Sequence, residues 1–75
     1  MNEYTTHLIK EAAKDAFTSD EARNSNFVLV VDMGVNDYSV IDYDETYNAL
    51  IPTVVDITEG SVYIVDRKLK ITEFS

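Results

Sequence analysis

One uninterrupted apolar stretch restricts the fold of this chain more than any other feature. Residues 26–33 read Asn-Phe-Val-Leu-Val-Val-Asp-Met, so apolar side chains occupy both odd and even positions, and three of them are β-branched valines. Such a segment is typical of a strand that is covered on both faces or paired on both edges. The sequence therefore predicts a buried strand over 26–33.

The length and composition predict a single folded domain over residues 1–75. A chain of 75 residues buries only about 60% of the surface that its unfolded form exposes. Its 45% apolar content, with five tyrosines and three phenylalanines, is too high for a disordered acidic tail. The absence of cysteine excludes disulfides, thiolate zinc sites and thiol redox chemistry.

The first residues predict an amphipathic helix. Apolar residues recur at four-residue intervals with apolar neighbours beside them, in the series Tyr4, Leu8, Ala12 and Ala16 and the series Ile9, Ala13 and Phe17. The helix is predicted to end near 18–20. Thr18 and Glu21 have the spacing of a capping box for one further short turn.

A hairpin is predicted to follow the buried strand. Residues 34–37 form a loop in which Gly34 and Asn36 can adopt positive φ, and residues 38–43 form the return strand. Its facing stays open, because a one-residue slip exchanges the two sides. The inward set is either Ser39, Ile41 and Tyr43 or Tyr38, Val40 and Asp42.

The C-terminal third predicts an antiparallel meander. A turn at 59–60 would pair a strand over 55–58 with one over 61–64, and a turn at 67–68 would add a third strand. Between the two sheet portions, Asp44 could cap a short helix that Pro52 interrupts. The predicted fold class is α+β, with one N-terminal amphipathic helix packed on a roughly five-stranded antiparallel sheet. One apolar face would lie under that helix: Val55, Ile57, Val62, Ile64, Leu69 and Ile71.

The negative charge is confined to one part of the chain. Residues 24–66, the acidic segment, contain no Lys or Arg, and outside them six acidic residues balance six basic ones, so this segment accounts for the net charge of −8. Such a distribution favours cationic partners and repels nucleic acid and anionic lipid. Its carboxylates are Asp32, Asp37, Asp42, Asp44, Glu45, Asp56, Glu59 and Asp66.

Few residues suit catalysis or metal binding. His7, the only histidine, lies one helical turn from Glu3 and from Glu11, but no motif connects it to a nucleophile, so it is interpreted as a surface residue. Residues 42–45, Asp-Tyr-Asp-Glu, lack the glycine and the final acidic residue of an EF-hand loop. With only two glycines there is no phosphate-binding loop. We predict a protein that is not an enzyme and has no cofactor or metal.

The preferred functional hypothesis is mimicry of nucleic acid. Carboxylates that alternate along a strand repeat at about 7 Å, close to the spacing of backbone phosphates. The chain would bind a basic protein, such as a nucleic-acid-binding enzyme or complex, and block it. In size and acidity it is similar to the small DNA-mimic inhibitors of phages and mobile elements, of anti-CRISPR or anti-restriction type. The predicted partner-binding residues are Asp32, Asp37, Tyr38, Asp42, Tyr43, Asp44, Glu45, Tyr47, Asp56 and Glu59.

The alternative hypothesis is a protein–protein interaction or assembly module, a homodimer included, whose acidic surface mainly confers solubility. Its binding patch would be apolar, formed by Tyr47, Leu50 and Ile51, or it would add a Val-rich strand edge to a partner's sheet. The longest apolar run, 27–31, is too short to cross a bilayer, and the first residues have no basic and apolar leader. We therefore expect a cytoplasmic protein with no membrane and no direct nucleic-acid contact.

Overall fold

The computed structural model describes residues 2–74 and has the predicted α+β fold, with a four-stranded sheet in place of the expected five strands. Along the chain the elements are α1 (Glu3–Thr18), β1 (Phe27–Asp32), β2 (Tyr38–Asp44), a short 3₁₀ helix (Asn48–Leu50), α2 (Ile51–Asp56), β3 (Val62–Asp66) and β4 (Ile71–Phe74). The sheet is antiparallel throughout and has the order β2-β1-β3-β4. The 3₁₀ helix and α2 connect β2 to β3.

Helix α1 has the predicted position. It begins after Asn2, whose side-chain oxygen accepts a hydrogen bond of 2.7 Å from the Thr5 N–H, as is usual at a helix N-terminus. It ends at Thr18. The cap of the following turn is Ser19, since its hydroxyl oxygen accepts from the Ala22 N–H at 3.3 Å. The predicted capping role of Thr18 is wrong, because the Thr18 hydroxyl donates back to the Asp15 carbonyl inside the helix.

Strand β1 lies in the interior of the sheet and is covered on both faces, as its apolar run predicts. Val28 and Val30 pack on one face with the buried side of α1. Leu29 and Val31 pack on the opposite face with Leu50 of the 3₁₀ helix. The four residues of β1 from Val28 to Val31 thus contribute to two separate cores.

A β-bulge in β2 decides the facing that the sequence left open. Val30 pairs with Val40, but Leu29 pairs with Asp42, so Ile41 is the extra residue. A bulge shifts the alternation of side chains by one position. Neither predicted inward set is therefore correct: Tyr38, Val40 and Tyr43 face the α1 side, whereas Ser39, Asp42 and Asp44 face the α2 side.

The predicted strand over 55–58 is wrong, because this part of the chain belongs to α2 and the loop after it. Pro52 lies in the first turn of α2 and therefore helps to begin a helix rather than interrupt one. Val55 is 72% exposed. The predicted strand would pair with one edge of β3, but in the structure that edge pairs with β1, for example Tyr63 with Val30.

The turn at 67–68 is correct, but the predicted shared face is not. Val62 and Ile64 of β3 belong to the core on the α2 side. Leu69 and Ile71 pack against the core under α1. Leu69 has φ of 64°, and this left-handed conformation shifts the chain between the two strands.

The apolar patch of the alternative hypothesis lies in the core on the α2 side of the sheet. Leu50 is 1% exposed. Tyr47 and Ile51 are half-buried and pack against the same cluster as Leu50. These side chains hold the 3₁₀ helix and α2 on the sheet. No helix within residues 2–74 is both long and apolar enough to span a membrane.

Candidate protein-binding surface

The carboxylates of the acidic segment have no ionic partners among the residues that the structure describes. Among residues 2–74 the one ion pair joins Arg23 to Asp20 at 2.6 Å, and both residues lie outside the acidic segment. None of the eight carboxylate residues is buried: Asp32, Asp42, Asp44 and Asp66 are half-buried, and Asp37, Glu45, Asp56 and Glu59 are exposed. The negative charge of the acidic segment is therefore not neutralised by ion pairs within residues 2–74.

Arg67, at one boundary of the acidic segment, is engaged in the fold. Its guanidinium donates to the Ser25 carbonyl at 2.6 Å and to the Arg23 carbonyl, and it lies 4.8 Å from the centre of the Phe17 ring. A cation over an aromatic face is attractive. These contacts join the β3–β4 turn to the end of α1, and Arg67 forms no ion pair with a carboxylate of residues 2–74.

Three predicted site residues lie near one end of the sheet. Asp32 ends β1, and Asp37 is the last residue of the loop before β2. The Asp32 carboxylate accepts the Gly34 N–H at 2.7 Å, which fixes the start of the loop. Asp32 and Glu59 line the same open depression. The structure therefore brings these acidic residues to the loop end of β1.

The densest acidic group lies at the other end of β2. We name Asp42, Asp44 and Glu45 the β2 acidic cluster. The Asp42 carboxylate accepts from the Tyr43 N–H at 2.8 Å and from the Thr53 hydroxyl of α2 at 3.2 Å. The Asp44 carboxylate accepts from the Thr46 N–H at 3.0 Å. These bonds hold two carboxylates in place on the α2 side of the sheet edge.

The remaining acidic residues lie elsewhere. Asp56 is the last residue of α2. Asp66 ends β3, and its carboxylate accepts the N–H groups of Lys68 and Lys70 at 2.9 Å each, so it shapes the β3–β4 turn. The acidic segment thus supplies a group at the loop end of β1, the β2 acidic cluster, the end of α2 and one turn.

The tyrosines of the predicted surface differ in exposure. Tyr43 is 37% exposed on β2. Tyr47 packs edge-on against Phe27, with ring centres 5.8 Å apart, and Tyr38 packs similarly against Tyr63 at 6.4 Å. Burial raises the pKa of Tyr63 above its ordinary value, and a hydrogen bond with the Ser61 side chain partly offsets this. Among these tyrosines, Tyr43 is the one best placed to contact another molecule.

A groove of mixed polar and apolar lining lies between α1 and β2 and is not predicted from the sequence. The groove has a volume of about 430 Å³. Its floor and walls are the small side chains Ala12 and Ala16 of α1 and the side chains Val40, Ile41 and Tyr43 of β2. Asp15, Glu21 and Tyr38 also line it. Ala12 and Ala16, one helical turn apart, are the only sign of this groove in the sequence. They indicate a groove only when β2 is known to be the edge strand beside α1.

His7 lies on the exposed side of α1, in a shallow depression with Glu3 and Lys10. Within residues 2–74 no group of three or more His, Cys, Asp or Glu side chains is arranged to hold a metal ion. No protein-family model, curated protein or solved structure matches this chain.

Proposed function

We propose that this chain is a non-enzymatic binding protein that occupies the basic, nucleic-acid-binding surface of another protein and thereby blocks it. The observation that carries the proposal is the set of eight solvent-accessible carboxylates with no ionic partner among residues 2–74. Uncompensated charge costs stability through self-repulsion, and a cationic partner would relieve that repulsion.

Screening by salt determines which of these charges act together. The radius of gyration is 11.1 Å, and the Debye length at physiological salt is about 8 Å. Carboxylates that lie within about one Debye length of each other, such as Asp42 and Asp44 of the β2 acidic cluster, therefore contribute to a common potential. This potential would speed the encounter with a partner rich in Lys and Arg and would make the association rate sensitive to salt.

The geometry of β2 supports phosphate mimicry in particular. Asp42 and Asp44 are two positions apart on the same side of the sheet, which places their side chains about 7 Å apart. Hydrogen bonds from Tyr43, Thr46 and Thr53 hold both carboxylates in position before any partner arrives. Groups that are already ordered lose less conformational entropy on binding.

The direct test is displacement of DNA. Fluorescently labelled duplex is bound to basic nucleic-acid-binding proteins, including restriction nucleases, CRISPR effectors and repair glycosylases, and the acidic protein is then added. We expect it to release the duplex from at least one of them, with an apparent affinity that falls steeply as salt is raised. The triple variant Asp42→Asn, Asp44→Asn, Glu45→Gln should lose this activity.

A matched control removes the same number of charges elsewhere. The triple variant Glu3→Gln, Glu11→Gln, Glu73→Gln changes exposed carboxylates outside the acidic segment, so it should retain most of the displacement. Equal loss in both variants would show that only net charge matters. Absence of displacement across the panel, or binding that is indifferent to salt, would reject mimicry and favour an assembly module instead.

A further inference from the structure

The strand that carries the β2 acidic cluster is also an open edge of the sheet. β2 has seven residues and pairs with β1 on one side only. The Met33 N–H donates to the Asp37 carbonyl at 2.7 Å. In an antiparallel ladder such bonds recur at every second residue, so the backbone polar groups of Tyr38 and Val40 point away from β1. They can pair with another strand.

The groove runs beside this edge on the α1 side, with apolar side chains next to β2 and with Asp15 and Glu21 also in its lining. Ile41, the bulge residue, is 49% exposed, and Tyr43 is 37% exposed. Opposite them, Ala12 and Ala16 leave space between α1 and the sheet. A strand added next to β2 would direct every second side chain toward this space, where apolar side chains would be removed from water.

Within residues 2–74, the other face of the same edge is acidic and has no apolar groove beside it. Asp42 and Asp44 project on the α2 side, where the alternate side chains of an added strand would lie. Opposite charges that face each other across a strand pair are favourable. The two faces together select a segment in which apolar residues alternate with Lys or Arg.

We propose that β2 accepts an extended, alternately apolar and basic segment of the partner as a fifth strand of the sheet. This inference rests on the proposed function and specifies how the basic partner is held. Backbone hydrogen bonds along β2 would supply affinity, and the groove and the β2 acidic cluster would supply specificity. The charges of the acidic segment would first increase the rate at which the basic partner is encountered. They would then favour the register that places Lys or Arg of the added strand opposite the β2 acidic cluster.

A second copy of this chain suits the edge poorly. Each copy has a net charge of −8. Pairing β2 with β2 would bring the two acidic clusters onto one continuous sheet, and like charges across a strand pair are unfavourable. The edge therefore favours a cationic occupant.

The test uses two synthetic peptides of equal composition and of the seven-residue length of β2. In one peptide Lys and Val alternate, and in the other the same lysines and valines form two blocks. Binding to the full chain is measured by calorimetry, and the contact site is mapped from amide chemical-shift changes. We expect the alternating peptide to bind about tenfold more tightly, with the largest shifts over residues 38–44.

Two variants with the same charge change separate strand addition from general attraction. Ile41→Lys alters the groove, whereas Val55→Lys alters an exposed residue of α2. Affinity for the alternating peptide should fall about tenfold in the first variant and stay nearly unchanged in the second. Amide shifts and urea midpoints of both variants establish that they remain folded.

The outcomes distinguish this inference from the proposed function. Equal binding of the two peptides with equal loss in both lysine variants overturns strand addition and leaves electrostatic binding intact. No binding of either peptide, or a salt-insensitive dimer that Ile41→Lys abolishes, also overturns it. If the alternating peptide binds over residues 38–44 but the amide variant of the β2 acidic cluster binds it equally well, strand addition stands, whereas the role of this cluster in specificity and the electrostatic function are both rejected.

Discussion

The substitutions Leu50→Ala and Val55→Ala together test how residues 48–58 are arranged. In the structure, Leu50 is 1% exposed in the core on the α2 side, whereas Val55 is 72% exposed on α2. The sequence pattern predicts a strand instead, in which Val55 would point inward beside Val62 and Ile64. The two arrangements therefore assign opposite roles to Val55.

The expected magnitudes differ enough to decide between them. Leu→Ala at a fully buried site costs about 3 kcal/mol, against a total free energy of unfolding of about 4 to 11 kcal/mol for a chain of this length. This corresponds to a fall of about 12 to 24 °C in the melting temperature. Val55→Ala should be neutral or more stable by about 0.5 kcal/mol, because alanine is the better helix former.

The assay is urea unfolding followed by far-ultraviolet circular dichroism at low temperature, where a weakened variant is still folded. The midpoint and slope give the free energy of unfolding of each variant. A loss of about 2 kcal/mol in Val55→Ala, with little loss in Leu50→Ala, would refute the packing of the 3₁₀ helix on the sheet and support the strand.

Two further predictions concern one glycine and one buried tyrosine. Gly60 has φ of +81°, and a Cβ there would lie 3.0 Å from the Asp32 carbonyl oxygen. We therefore expect Gly60→Ala to lower the free energy of unfolding by about 2 kcal/mol. Gly34→Ala should lower it by less, because Gly34 has φ of +90° but a Cβ there would meet no neighbouring atom within 4 Å. Equal urea midpoints for the two alanine variants would contradict this. Burial raises the pKa of Tyr63 above its ordinary value of 10.0. As the pH rises, the folded state therefore keeps a proton that the unfolded state releases. The contribution of the neutral phenol to stability is fully present below pH 10.0 and is lost as the pH rises through the folded pKa. Tyr63→Phe should show a smaller alkaline decrease in urea midpoint than the unsubstituted protein, and an identical decrease would show that Tyr63 does not cause it.

The elements predicted correctly are those whose local pattern agrees with their packing. The four-residue spacing of apolar residues in α1 matches the face that it buries, and β1 has no polar face to misassign. The strand predicted over 55–58 is wrong because alternation of Val55 and Ile57 with polar residues also fits the end of a short helix and the loop after it. The sequence predicts that Pro52 interrupts a helix, but proline is equally suited to the first turn of one.

The candidate site was predictable in its charge but not in its geometry. The acidic segment is visible in the sequence, yet the position of the bulge at Ile41 determines which side of the sheet Asp42 occupies, and no local residue preference fixes that position. The groove requires α1 and the edge of β2 to lie side by side. That proximity arises from strand order, which depends on pairing between residues distant in the chain.

The central place of β1 links the two sides of the molecule in folding. Its alternate side chains enter both cores, and its two edges pair with β2 and β3. A partly formed molecule that lacks β3 would leave both cores incomplete, since Tyr63 and Val65 serve one and Val62 and Ile64 the other. We therefore expect neither layer of helix to persist without the other, so that the chain folds and unfolds as a single cooperative unit.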